Sequence, residues 1–178
     1  MTTALAITIL NPIIIICSVF GNVLTITAVL KTRALRCRYA VRIITSLACC
    51  DLTFSLLSCP VNFITTLIEL QEWDSPLCVI NGYLGMTLCM TSLLTLTIVS
   101  IDRYVAIVMP FKYHIWMTSD RVKIIIATKW ILAASVAAVP LSGWGKYIFY
   151  PQKGFCFIDY HKDFEIFFFI GAWFNIGF

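Results

Sequence analysis

The sequence predicts an all-α membrane protein, a bundle of spanning helices, on three observations. Apolar residue types make up 60% of the chain and charged types only 12%. The few charges fall in clusters that separate long apolar stretches, and these stretches are long enough to cross a bilayer as helices. The net charge of +4 comes from basic residues in separate loops rather than a continuous stripe. We therefore expect the lipid bilayer, and not nucleic acid, as the partner of this surface.

Five apolar segments follow one another without a soluble domain between them. We predict one transmembrane bundle over residues 1–178, with spans at about 4–30, 43–68, 77–102, 124–145 and 166–178. The first segment is interpreted as a mature span, because it has no basic n-region and is too long for a signal peptide. The last segment is too short to cross at about 1.5 Å per residue. We expect the bundle to be truncated within its fifth helix.

Loop charges predict the orientation. The first and third connections are basic and the second holds only acids. Because lysine and arginine accumulate on the cytoplasmic side, both basic connections are expected inside and the N-terminus outside. We therefore predict a multi-pass protein of the plasma membrane. The basic residues are Lys31, Arg33, Arg36, Arg38 and Arg42 in the first connection, and Arg103, Lys112, Arg121 and Lys123 in the third.

This topology divides the eight cysteines. Five fall within apolar spans, and Cys37 lies in a basic connection where thiols stay reduced. Cys78 and Cys156 remain on the oxidising side, so they are the candidates for a disulfide between the third span and the loop over 146–165. The alternative is that both are buried free thiols, which pack as small apolar side chains.

Polar residues inside the spans are the next signal. Asp51 lies in the second span and Asn22 in the first. An intramembrane carboxylate usually faces the bundle interior, where it meets a partner or an ion, although a purely structural contact between helices is also possible. Lys129 lies near the cytoplasmic end of the fourth span, so we expect it to extend outward to the interface and assign it no function.

The residues together resemble the rhodopsin-like (class A) G-protein-coupled receptors. Each motif is short, but they occur in order, one for each helix or loop. The motifs are Gly21-Asn22-Val23-Leu24, Leu47-Ala48 with Asp51-Leu52, Trp73 before Cys78, Asp102-Arg103-Tyr104 with Pro110, Trp130 with Pro140, and Cys156. The resemblance implies a seven-helix bundle of which this chain covers the first five helices.

The resemblance also implies roles for these positions. Asp102 would hold Arg103 in the resting state, and Arg103 would turn toward a heterotrimeric G protein on activation. Tyr104 completes the switch, and Pro110 lies in the cytoplasmic loop that contacts the same partner. Asp51 with Ser92, and Asn22 nearby, resembles an allosteric site that binds Na+. No other cofactor is expected.

The ligand is less defined by the sequence. Gly82, Gly85, Met86 and Cys89 recur at three- and four-residue spacing, so they share a face of the third span that resembles the wall of the family's ligand pocket. Amine receptors have an aspartate at the position of Gly85. A bioamine is therefore disfavoured, and the extracellular ligand is unknown.

Two alternatives to a receptor for a diffusible ligand remain. The loop from Trp144 to Cys156 is similar to that of opsins, and an opsin would carry retinal, but Asn81 stands where visual opsins have a counterion. A truncated receptor could also act as a non-signalling interaction protein. An enzyme is not expected, because no catalytic or metal-binding cluster occurs and His114 and His161 lie on opposite sides of the membrane.

Overall fold

The computed structural model describes residues 2–36, 38–68, 75–151 and 154–159. Six helices and a two-stranded hairpin occupy this part of the chain. The helices are α1 (Thr2–Lys31), α2 (Arg33–Arg36), α3 (Tyr39–Leu67), α4 (Pro76–Val108), α5 (Pro110–Trp116) and α6 (Ser119–Ala138), and a 3-10 turn over Val139–Ser142 follows α6. The strands are β1 (Tyr147–Tyr150) and β2 (Phe155–Ile158). The fifth predicted span, 166–178, lies outside the described residues.

Four helical segments are long and apolar enough to cross a membrane: Ile9–Lys31, Tyr39–Leu67, Pro76–Val108 and Ser119–Ser142. The predicted helical membrane fold is therefore confirmed. The third predicted span differs in length, because α4 continues past residue 102 as far as Val108. Asp102-Arg103-Tyr104 thus lies within a helix, nearly two turns before its end.

Local sequence explains where the two helices that carry most of the site begin. Pro76 occupies the first turn of α4, and the Ser75 hydroxyl accepts a hydrogen bond from the Leu77 backbone N–H at 3.3 Å. Thr118 caps α6 in the same way through the backbone N–H of Arg121, at 3.4 Å. The α4 helix ends before Pro110, which has no N–H to continue it. The Thr118 cap starts α6 five residues before the predicted fourth span.

The central element is α4, which packs against α3, α6 and both strands, while α1 packs against α3. A buried cluster at its N-terminal half joins it to α6 and the hairpin. Small alanines on α6 let the helices approach closely there, while methionines on α4 fill the space between the helices. The cluster consists of Met86, Met90, Ala133, Ala137, Tyr147 and Ile158.

The hairpin is the one departure from the predicted all-α fold in the described residues. Strands β1 and β2 pair antiparallel, with Tyr147 opposite Ile158. The Cys78–Cys156 disulfide ties β2 to the first turn of α4, which confirms the predicted bridge and excludes the free-thiol alternative. The Tyr147 hydroxyl donates to the backbone carbonyl of Ala137 on α6 at 2.9 Å. Covalent and tertiary contacts therefore hold a pair of strands too short to be stable alone.

Gly82 is where the hairpin approaches α4 most closely. A Cβ atom at this position would lie 2.6 Å from Cδ1 of Tyr147 and 3.2 Å from the carbonyl oxygen of Cys156. At Gly85, one turn deeper, an added Cβ would have only ordinary contacts, 3.8 Å from Oγ of Ser58 and 3.9 Å from Cε2 of Phe54. The two glycines are thus a matched pair, one with room for a methyl group and one without.

We expect Gly82→Ala to lower the free energy of unfolding by about 1–3 kcal/mol, because the buried Tyr147 ring must shift. Gly85→Ala should be neutral or raise it by up to about 1 kcal/mol, because alanine favours the helix over glycine. Thermal unfolding in lipid nanodiscs, followed by tryptophan fluorescence, measures both. Equal stability of the two variants would contradict the packing at Gly82.

Candidate functional site

The C-terminal end of α4 carries a buried carboxylate with a partner on each oxygen. Asp102 is 3% exposed, whereas the Arg103 side chain is exposed. Arg103 donates to Oδ2 of Asp102 through NH2 at 2.5 Å and through Nε at 3.0 Å. The hydroxyl of Tyr113 donates to Oδ1 at 2.8 Å. Charge-assisted hydrogen bonds to both oxygens compensate the cost of burying this acid.

Tyr113 lies on α5 and was not among the predicted site residues. Pro110 begins α5 directly after Met109, where the chain leaves α4, and the turn brings Tyr113 back to Asp102. Partial burial, the hydrogen bond to Asp102 and the charge of that carboxylate raise the pKa of Tyr113 to about 12. The phenol therefore stays protonated and remains a donor at physiological pH. In the sequence, a tyrosine shortly after Pro110 and close to Asp102 could have indicated this contact.

The other two residues predicted at this end lie on the surface. Tyr104 is 61% exposed, and its position on α4 turns it away from Asp102. Pro110 is exposed, and Phe111 beside it is 92% exposed. Asp102 and Arg103 are thus joined directly to each other, while Tyr104 and Pro110 flank them. An exposed arginine tethered to a buried acid can exchange its intramolecular partner for an external one without unfolding the helix.

A second polar site lies in the middle of the bundle, between α3 and α4. Ser92 donates to Oδ1 of Asp51 at 2.8 Å and lies 3.5 Å from Sγ of Cys50. Asn22 does not bond to the Asp51 carboxylate; its Nδ2 donates to the Ser18 carbonyl on its own helix at 2.9 Å. The contact from α1 to α3 runs instead through the hydroxyls of Ser18 and Ser55, 2.6 Å apart. Asp51 and Ser92 supply oxygen atoms of the kind that Na+ binds, whereas Asn22 is turned toward its own backbone.

Lys129 does not extend to the membrane interface as expected. Its side chain is 3% exposed, and its Nζ donates to Oγ1 of Thr95 on α4. The Thr118 cap starts α6 early and places Lys129 about ten residues into the helix, roughly 15 Å from its N-terminal end. This distance, and an orientation toward α4, keep the ammonium group inside the bundle. The adjacent Trp130 donates to Oγ of Ser46 on α3 at 3.4 Å.

The spacing of the threonines on α4 could have indicated the contact between Lys129 and Thr95. Thr87, Thr91 and Thr95 are spaced by four residues, so they form one ridge along the helix. The hydroxyls of Thr91 and Thr95 donate to the carbonyls one turn back, at 2.8 and 2.6 Å. Their acceptor positions remain directed between the helices, and Thr95 uses one of them for Lys129.

The four residues predicted to share a ligand-facing surface of α4 divide between different surroundings. The hairpin covers Gly82, and Met86 is buried in the cluster with α6. Gly85 faces α3, and Cys89 is exposed. Gly82 and Met86 therefore serve packing, while Gly85 and Cys89 remain on the side of the bundle that the described helices leave open.

The polar groups around Gly85 are uncharged. Ser58 is 1% exposed, and its hydroxyl has no hydrogen-bond partner among the described residues. One turn toward the N-terminus of α4, Nδ2 of Asn81 donates to Oδ1 of Asn62 at 2.7 Å. Asn81, noted for its position in opsins, thus pairs with another amide. The polar groups in this part of the bundle are hydroxyls and amides.

These features define a helical membrane protein with an ion pair near one end of α4 and a disulfide-tied hairpin at the other end. It has the scaffold of a membrane receptor. The family described as 7 transmembrane receptor (rhodopsin family) matches residues 21–177. The chain therefore belongs to the rhodopsin-like, or class A, G-protein-coupled receptors, which are receptors and not enzymes.

Its relatives include receptors from fish and a mollusc. The alpha-2 adrenergic receptor of Carassius auratus is 32% identical over 140 residues, 79% of this chain and 32% of that receptor. The octopamine receptor 1 of Lymnaea stagnalis is 32% identical over 124 residues, 70% of this chain and 19% of the receptor. The 5-hydroxytryptamine receptor 1A-alpha of Takifugu rubripes is 28% identical over 161 residues, 90% and 38% respectively. The chain spans about a third of the length of the adrenergic relatives it matches.

We expect Tyr113→Phe to lower the free energy of unfolding by about 1–2 kcal/mol at pH 7, because one oxygen of buried Asp102 loses its donor. The pKa of Tyr113 is raised in the folded chain, so its hydrogen bond contributes fully below the ordinary tyrosine pKa of 10.0 and is lost as pH rises toward about 12. The difference from wild type should disappear over that interval. Thermal unfolding of both proteins against pH measures it.

Proposed function

We propose that this chain belongs to a receptor that transmits an extracellular signal to a heterotrimeric G protein through Asp102, Arg103 and Tyr104. The observation that carries the proposal is the pairing of exposed Arg103 with buried Asp102 near the cytoplasmic end of α4. Membership of the rhodopsin-like family supports it. In the resting state Asp102 restrains the arginine, and on activation the arginine exchanges that carboxylate for the G protein. Pro110 and the exposed Phe111 belong to the same cytoplasmic surface.

The proposal includes one transmembrane bundle over residues 1–178 in the plasma membrane, with the N-terminus outside. Two independent features support this orientation. The connection from α1 to α3 is basic, as expected of a cytoplasmic loop. The Cys78–Cys156 disulfide lies at the opposite end of α4 from Arg103, and disulfides persist on the extracellular side. The arginine and the disulfide thus face the compartments that their chemistry requires.

We also propose an interior polar site at Asp51 and Ser92, with Asn22 on the neighbouring α1. The hydrogen bond between Ser92 and Asp51 links α3 to α4 in the middle of the membrane. A rearrangement of either helix must change this contact. The site is therefore placed to couple the outer half of the bundle to Arg103, which lies on the same helix as Ser92.

The ligand of this receptor is proposed to bind on the outer side of the bundle near Gly85 and Cys89, without an ionic contact at Gly85. The named relatives are adrenergic, octopamine and 5-hydroxytryptamine receptors, and these names favour a bioamine ligand against the expectation from Gly85. In this chain the groups nearest the Cβ position of Gly85 are the Ser58 hydroxyl and the Phe54 ring. A hydroxyl and an aromatic edge are poor substitutes for a carboxylate in binding an ammonium group, because they carry no net charge. A bioamine is disfavoured on this ground.

A receptor that contains this chain with the remaining helices of the family should not respond to noradrenaline, octopamine or 5-hydroxytryptamine. The measurement is ligand-stimulated GTPγS binding to membranes of expressing cells. An alpha-2 adrenergic receptor in the same cells serves as the positive control. Activation by any of the three amines would contradict the argument from Gly85.

We expect Asp102→Asn to raise basal G-protein activation severalfold in the same receptor, because the neutral amide no longer restrains Arg103. Asp120→Asn is the matched control: Asp120 pairs with Lys123 at 2.9 Å, and both side chains are exposed on the same cytoplasmic side. Basal GTPγS binding compares the two variants at equal surface expression. Equal basal activity of Asp102→Asn and wild type would leave Asp102 and Arg103 as an interfacial anchor only.

A further inference from the structure

Lys129 is a charged group inside the bundle that none of the proposed functions uses. Its side chain is 3% exposed, and its Nζ donates to Oγ1 of Thr95. Both residues lie where α4 packs on α6, well away from either end of α6. An intramembrane lysine that faces protein instead of lipid generally has an acidic partner or belongs to a functional site. The question is which group balances its charge.

The acid within its range is Asp51. Thr95 and Ser92 are three residues apart on α4, so their side chains are neighbours on the helix surface. Thr95 accepts from Lys129, and Ser92 donates to Oδ1 of Asp51 at 2.8 Å. The Asp51 carboxylate and the Lys129 ammonium are close enough to interact electrostatically. Two neighbouring hydroxyl groups of α4 thus contact an acid on α3 and an amine on α6.

Other described groups near these two hydroxyls do not provide a second negative charge. The Cys50 thiol donates to the backbone carbonyl of Leu88 at 3.2 Å. Asp102 lies seven residues beyond Thr95 on α4, about two turns away, and its oxygens are occupied by Arg103 and Tyr113. Among the described residues, Asp51 is therefore the carboxylate that can balance Lys129.

We propose that Lys129 is the resident cation of the Asp51 site and takes the place of a sodium ion there. A cation entering beside Asp51 would meet a carboxylate whose charge is already compensated and an ammonium of its own sign. In a medium of low dielectric both effects oppose its binding. The oxygen atoms of Asp51 and Ser92 would suit Na+, but the net charge of the site, counted over the described residues, does not.

Two measurements on the receptor purified in lipid nanodiscs test this without a ligand or a G protein. The first is thermal unfolding in sodium chloride and in choline chloride at equal ionic strength. The second is the infrared carbonyl stretch of a protonated Asp51 in Lys129→Met, assigned by its loss in the double variant Lys129→Met, Asp51→Asn. Lys129→Met removes the charge at similar size, and Lys129→Arg is the matched control that keeps it.

Wild type and Lys129→Arg should show the same unfolding temperature in both salts and an ionised Asp51. Lys129→Met should show a protonated Asp51 in choline, and its unfolding temperature should rise with sodium concentration. The double variant Lys129→Met, Asp51→Asn should lose that rise. A sodium-dependent unfolding temperature in wild type would overturn the proposal, and this measurement does not require any variant to fold. An ionised Asp51 in Lys129→Met with no sodium present would overturn it as well.

Discussion

The need of polar side chains for partners in an apolar solvent is the constraint on which this bundle depends. Hydrocarbon offers no hydrogen bonds, so a polar side chain that a spanning helix carries inward is stabilised by bonding to another side chain or to its own backbone. The α4 helix provides such contacts at four levels along its length. From its N-terminal to its C-terminal end, its contacts are Asn81 with Asn62, Ser92 with Asp51, Thr95 with Lys129, and Asp102 with Arg103 and Tyr113.

These contacts and the hairpin make α4 the element that joins the two sides of the membrane. At its N-terminal end the disulfide and the close approach of Tyr147 to Gly82 attach it to the hairpin. At its C-terminal end it carries Asp102 and Arg103. The disulfide and the arginine therefore lie on one continuous helix, whose interior side chains bond to α3 and α6 between them.

Charge placement relates the two proposals about cations. At Gly85 the chain has no carboxylate, and the nearest groups are neutral. At Asp51 it has a carboxylate, with the buried ammonium of Lys129 within electrostatic range. A cation that arrives at either place therefore finds no uncompensated negative charge. Near Gly85 the carboxylate is missing, and at Asp51 we propose that Lys129 balances it. Family membership alone does not imply either feature, since both depend on individual residues of this chain.

The sequence by itself determined the lipid environment of the chain, its long helices and its Asp102-Arg103-Tyr104 motif. Apolar run length is a property of consecutive residues, so the helical membrane fold followed without coordinates. The class of protein and the expected pairing of Asp102 with Arg103 followed from the resemblance of the ordered motifs to a known family. The disulfide could also be predicted, because topology left two cysteines on one side. Only the tertiary structure decided which side chains meet across helices. Lys129 lies inside because a cap at Thr118 and packing on α4 set its depth and direction, and Tyr113 reaches Asp102 because α5 folds back after Pro110. Such contacts depend on the rotation of one helix against another, and small shifts in that rotation exchange interior for lipid-facing positions. Local sequence does not encode that rotation, because it results from packing between residues far apart in the chain.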